Sequence, residues 1–460
     1  MLRFLRPLGR FAAYIFAGVL VIALIWFAAN RLFDEKPDPL RVAFVSPPEE
    51  PLSDDQNIAV GILGLGAPRG TDFLKFGAHM KDLYDRRVPS AEIQRELHGP
   101  DELRLSVTHD EIDCWVDPEN YRSKGCLPFE RAPEVLKENR ELLGRYKVVQ
   151  RLPANVNTGF WQSILIDLTR LSVAEMRVDM HAGNYEVAYA KWRDQFRFAR
   201  AYLRGRDTWI GKMIGLVIVG LSLPMLEDLL VKKPQLARAH ANELLEVLRP
   251  DGIESFNLVS SLRAEYLNLD AFLRGPLPES NPYLETIDRL AHMLAQRERF
   301  GNRYARFSRD YIGALQKPWP YLEDEFQRLR NGHVTAVGWR DIIDPFGWAF
   351  FVRHVHWQLE KPSTALHQMY IVDGRLRLAT VVVRMVNSGI RDKDISAFLD
   401  KGDSRLKDPF TGKPMIWDSE HGRIYFASAD YKCQINYFRV PVLDVRSGRM
   451  PPKVTDATIC

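Results

Sequence analysis

The chain has 460 residues, 46% hydrophobic and 27% charged, with a formal net charge of +4. That length and apolar content fit a globular protein with a large core and room for two subdomains. Arg3, Arg6 and Arg10 supply three of those charges, so the chain from Phe11 onward carries +1 (4 minus 3), which argues against a nucleic-acid partner because such a partner demands a concentrated basic face.

"FAAYIFAGVLVIALIWFAAN", Phe11 to Asn30, is twenty residues without a charge and matches the hydrocarbon thickness of a bilayer. It predicts one transmembrane helix, residues 11–33. A cleaved signal peptide fits less well, because Trp26 and Phe27 stand where a small-x-small cleavage site belongs. Arginines precede the span, while Arg31, Asp34, Glu35 and Lys36 follow with mixed sign, so the positive-inside rule makes residues 1–10 a cytoplasmic tail and places the body outside the cytoplasm. Residues 34–52 are rich in proline and acid. They are expected to stay extended, at about 3.1 Å per residue, as a stalk or as a strap lying along the body.

"SDDQNIAVGILGLGAPRGTDF" (53–73) carries four glycines in ten positions, Gly61 to Gly70. Counted from Gly64 and Gly66, a dinucleotide fingerprint meets Arg69 at its third glycine, and no lysine follows as a Walker loop requires. No nucleotide is expected. The pattern instead predicts two helices: Ser53 and Gln56 form a capping box, Ile58, Ile62 and Leu65 share a face, Gly66 takes the left-handed closing position and Pro68 stops the chain. Thr71 or Asp72 caps the second helix, through "FLKFGAHMKDLYDRR".

Cys114 and Cys126 bracket the loop "WVDPENYRSKG", and closing it by a disulfide contributes roughly 3 kcal/mol on the loop-entropy account. Cys433 and Cys460 form the residual pair, with free buried thiols as the alternative for any of the four.

Helical periodicity continues over 134–152 and 160–182. The following "GNYEVAYAKWRDQFRFARAYLRG" resembles the middle of a tetratricopeptide repeat, with Gly183, Tyr185, Ala188 and Trp192 at its turn and packing positions, although Gln195 and Met176 replace expected small residues. The resemblance implies one helical hairpin. Met213 to Leu226 is uncharged but too short for a second span and is broken by Pro224, so it reads as a kinked central core helix, with a re-entrant membrane segment as the rival.

Helices are expected at 234–248, 253–274, 283–315 and 320–331, completing a helical ectodomain over 53–332. Residues 333–460 read as an α+β subdomain: "RLRLATVVVRMVNSG" is a helix closed by Ser388 and Gly389, and two short strands flank Asp418 to Gly422 in a β-hairpin. The string from Asp408 to Pro414, D-P-F-T-G-K-P, resembles the turn after the long helix of type II secretion pseudopilins, which implies a local fold. The order of anchor, helical body and Asp-Pro-Phe turn resembles membrane-anchored proteins of Gram-negative bacteria. That resemblance implies an inner-membrane anchor and a periplasmic body.

Four chemical candidates stand out. His354 and His356 would share a face on a strand and offer two metal ligands, completed by His333 or His367 only through tertiary folding; interfacial packing is the plainer reading, and no metal is assigned. Ser404 and Lys407 have the Ser-x-x-Lys spacing of penicillin-binding proteins without their other elements. Glu254 in "GIESFN" resembles the Glu-Ser pair of lytic transglycosylases, yet no downstream Gly-Leu-Met-Gln-like segment follows, and a first-turn dipole role fits it better. "YLEDEFQRLR" shows ordinary exposed helix pairs.

The sequence therefore points to a mainly α fold made of a single N-terminal transmembrane helix, a multi-helical array and a small α+β C-terminal part. No catalytic residue or cofactor is assigned. The expected role is a binding or scaffold protein of the cell envelope, whose partner belongs to a secretion or wall-building machine or is a toxin it neutralises. The alternative is a hydrolase or lyase acting on peptidoglycan or lipid.

Overall fold

The computed structural model describes residues 34–45, 53, 56–85, 93, 102–116, 125–152, 164–205, 208–250, 252, 256–274, 295–336, 341, 344–360, 362–426 and 437–441, together with Ala17, Gly18, Val21 and Ala28, which are helical. The rest of the expected tail and anchor, Glu254, Cys433 and Cys460 lie outside the described residues.

The described chain is mainly α-helical. Its helices begin with α1 (Pro39–Phe44), α2 (Ile58–Leu63), α3 (Phe73–Asp85), α4 (His109–Val116), α5 (Ala132–Glu138) and α6 (Arg140–Val149). The longer α7 (Ile164–His181), α8 (Tyr185–Arg204) and α9 (Trp209–Lys232) follow, then the short α10 (Gln235–Ala239) and α11 (Ala241–Val247). Next come α12 (Leu258–Arg274), α13 (Arg297–Leu315), α14 (Leu322–Arg330), α15 (Pro345–Glu360), α16 (Pro362–Ser388) and α17 (Ile395–Asp400). Three strands, β1 (Ile416–Asp418), β2 (Arg423–Tyr425) and β3 (Tyr437–Arg439), form an antiparallel sheet in that order.

The chain divides into two compact units. One comprises Met1–Pro48, Glu265–Lys317 and Tyr321–Ser363; the other comprises Glu49–Ala264, Pro318–Pro320 and Thr364–Cys460.

In the first unit, residues 34–45 lie along α13, so the strap is the form that this part of the proline-rich segment takes. Asp34 accepts the otherwise unpaired N–H groups of Glu298 and Arg299 at the start of α13, both at 3.1 Å, and Asn302 accepts the Asp38 N–H at 2.8 Å. Pro39 starts α1, where its missing N–H costs nothing. Arg41 is then buried, donating to the Tyr266 hydroxyl at 2.6 Å and pairing with Glu298 and, at 3.5 Å, with Asp270. Glycine at 301 makes room for it, since a Cβ there would meet the guanidinium Nε at 2.5 Å.

In the second unit, α9 packs against α7 and α8. Among the described residues it is the helix long and apolar enough to cross a membrane, with mean hydropathy 2.0, yet 67% of that apolar window is buried within the protein. It runs through Pro224. Two polar groups of α8 meet it at one residue: Trp192 Nε1 donates to the Ser222 carbonyl at 2.9 Å, and Gln195 Nε2 to the Ser222 hydroxyl at 2.9 Å. The buried Lys212 ammonium donates to the Leu203 and Gly205 carbonyls, the negative end of α8.

The glycines near residue 64 serve contact between α2 and α3. A Cβ on Gly64 would lie 1.9 Å from the Phe73 carbonyl oxygen, and one on Gly77 1.9 Å from that of Val60. Asn57 and Asp72 cap these two helices. The left-handed residue is Gly70 (φ 75°) rather than the expected Gly66, because the turn falls after the close contact instead of at the helix end.

The hairpin forms as expected, with Ile416 opposite Tyr425 and Asp418 opposite Arg423. A third strand, β3, was not legible in the sequence. Its Arg439 is tied to α9 through Glu227 and, at 2.6 Å, Asp228. Burial, which lowers a guanidinium pKa, is outweighed by these two carboxylates, and Arg439 is held charged.

Candidate functional site

The histidines do not converge. His354 and His356 lie on helix α15 rather than on a strand, where two residues of separation turn them roughly 200° apart. His354 Nδ1 is 2.8 Å from the Phe350 carbonyl, and His333 pairs with Asp310 at 3.1 Å. Among the described residues no group of three or more His, Cys, Asp or Glu side chains is placed to hold a metal ion. Cys114 and Cys126 do form a disulfide, with Cα atoms 6.1 Å apart.

The D-P-F-T-G-K-P string is a turn built by one carboxylate. Buried Asp408 accepts the Phe410 N–H at 2.8 Å and the Thr411 hydroxyl at 2.7 Å, and Gly412 supplies the positive φ of 69°. The turn drives Phe410 into an aromatic cluster, 5.0 Å from Trp319, 5.2 Å from His367 and 5.9 Å from Phe426. Its role is to fix the chain on both sides of it.

Immediately before that turn lies a cleft of about 310 Å³. Helix α16 contributes Val381, Arg384 and Ser388, spaced three and four residues apart on one face. The helix then ends on Gly389 (φ 64°), whose N–H bonds Val386 while Ile390 N–H bonds Met385, the two bonds that let the chain reverse. Helix α17 follows, and Phe398 and Leu399 form the apolar side of the cleft.

Lys401 comes just after that helix, and Asp403 then caps a single 3-10 turn, Ser404–Leu406, by accepting the Arg405 N–H at 3.0 Å. Lys407 ends the turn. Its carbonyl accepts from Arg377 at 2.8 Å, which holds this stretch against α16. Ser404 is exposed and is not part of the lining, so the Ser-x-x-Lys spacing reflects the turn rather than a nucleophile beside its base.

Charge in the cleft is one-sided. Asp403, its one lining carboxylate, is gripped by Arg405 through the backbone N–H and the guanidinium at 2.9 Å; those bonds, with Arg384 adding, hold its carboxyl below the usual range. Arg384, Lys401 and Lys407 make no side-chain hydrogen bond or close ion pair among the described residues. A signal for this was present in the sequence. Arg384 has Thr380, Val381, Asn387 and Ser388 as its helical neighbours, where a solvated cation commonly has an acid.

Comparison with protein-family models, curated proteins and solved structures found no match to this chain. The class defined by the fold is accordingly a mainly α-helical protein with a small antiparallel sheet.

Proposed function

We propose that this protein is a single-pass inner-membrane protein of the bacterial envelope, whose periplasmic helical body binds another envelope component. The observation that carries the binding part is the cleft beside α16. It offers an excess of positive charge next to apolar surface, a combination suited to holding a ligand, and its lining carboxylate is hydrogen-bonded to Arg405. The uncharged stretch from Phe11 to Asn30 supports the anchor, and the Cys114–Cys126 disulfide supports an oxidising compartment.

The test is crosslinking of the full chain in its native membrane, beside an Arg384→Glu/Lys407→Glu variant. Recovery of one envelope component with the parent and its loss with the variant supports the reading. Recovery indifferent to the variant, or hydrolysis of peptidoglycan or lipid by the purified chain, overturns it.

A further inference from the structure

Resting on the binding reading above, we propose that the cleft takes an organic phosphate, with its headgroup on Arg384, Lys401 and Lys407 and its apolar substituent against Phe398, Leu399, Leu406 and Met415. Three cations reach the cleft from three consecutive pieces of chain: the last turns of α16, the residue after α17, and the residue after the 3-10 turn. Like charges brought together repel, and the one lining carboxylate, Asp403, is hydrogen-bonded to Arg405 and offsets Arg384 only in part, which leaves an excess of positive charge. An anion is what relieves that repulsion.

Phosphate matches the set better than carboxylate does. Its oxygens carry up to two charges for three cations to share, and the set mixes one planar guanidinium fork with two compact ammonium groups. A bare ion would leave the apolar wall without a role. Leu399, Leu406 and Met415 in the lining are buried, while Phe398 is half-buried and able to cover an acyl or aryl group. The volume, about 310 Å³, sits at the small end of ligand sites. A lipid headgroup and a soluble phosphate ester share this chemistry.

Calorimetric titration of the full chain in detergent distinguishes these sources, using dihexanoyl phosphatidic acid, phenyl phosphate and inorganic phosphate as probes. The expected result is binding of at least one ester, weakened roughly tenfold or more in Lys401→Ala/Lys407→Ala, the effect of losing a charge-assisted hydrogen bond. Lys413→Ala, an exposed lysine outside the cleft, should bind as the parent does, and all three proteins should share one thermal midpoint. Preference for the phosphatidic acid indicates a lipid, and binding of phenyl phosphate a soluble ester; either supports the proposal. Inorganic phosphate binding as tightly as the esters, no binding by any probe, or binding unchanged in the double variant overturns it. Ester binding that fails while the crosslinked envelope component is still captured removes this ligand and leaves the binding reading standing; the reverse pattern removes that reading alone.

Discussion

The Asp344 carboxylate joins the starts of two helices: it accepts the N–H of Gly347 in α15 at 3.0 Å and that of Gln296, just before α13, at 3.3 Å. Burial, with Asp34 adding, pushes its pKa up to about 7 against the pull of those two N–H groups and Arg299. The unfolded value is about 3.9, so between these pH values the folded chain holds the extra proton. That contribution to stability is complete below the unfolded pKa and is lost as pH rises through 7, with a limiting slope of about 1.4 kcal/mol per pH unit. Relative to Asp344→Asn, the parent should therefore lose stability between about pH 4 and 7 and level off above that, as read by chemical denaturation at each pH. Parallel curves for the two proteins would refute the assignment.

Reduction of Cys114–Cys126 should destabilise the second unit. The bond closes a loop with a sequence separation of 12 residues, which corresponds to roughly 3 kcal/mol of unfolded-state entropy. Dithiothreitol should lower the thermal midpoint of the parent and leave a Cys114→Ser/Cys126→Ser variant where it is. A parent midpoint indifferent to reductant would show that the crosslink adds nothing.

Two glycines in helices should respond oppositely to alanine. Gly77→Ala places a methyl 1.9 Å from a backbone oxygen, so α2 and α3 must separate and core contacts are lost, at a cost of several kcal/mol. Gly144 in α6 is exposed and a Cβ there meets nothing within 4 Å, so Gly144→Ala should stabilise by up to about 1 kcal/mol. Denaturant midpoints of both variants check the contrast.

Ser222→Ala removes the acceptor for Gln195 Nε2, and that amide is fully buried with its oxygen already lacking a protein partner. The cost should be about 1–3 kcal/mol. Adding Gln195→Met should recover part of the loss, since both polar groups are then gone. Trp192 is untouched because it bonds the Ser222 backbone carbonyl. A double-mutant cycle with no coupling energy would show that the pair does not interact.

The amino-acid sequence by itself determined the helical character of the body, the central apolar helix, the β-hairpin around Asp418 and the bracketing of one loop by Cys114 and Cys126. These features depend on neighbours a few residues apart: periodicity, caps, turn glycines and loop closure are local physics. The tertiary structure decided what long-range packing controls. It turned residues 34–45 into a strap by giving Arg41 partners some 225 residues away, beginning with Tyr266. It put His354 and His356 on different sides of a helix, because a short aromatic-rich run reads alike as strand or buried helix until its packing is known. It also assembled the cleft: the lack of an acid beside Arg384 is legible in the sequence, but Lys401 and Lys407 look like ordinary solvated charges there, and only the reversal at Gly389 and the turn capped by Asp403 bring the three to one place.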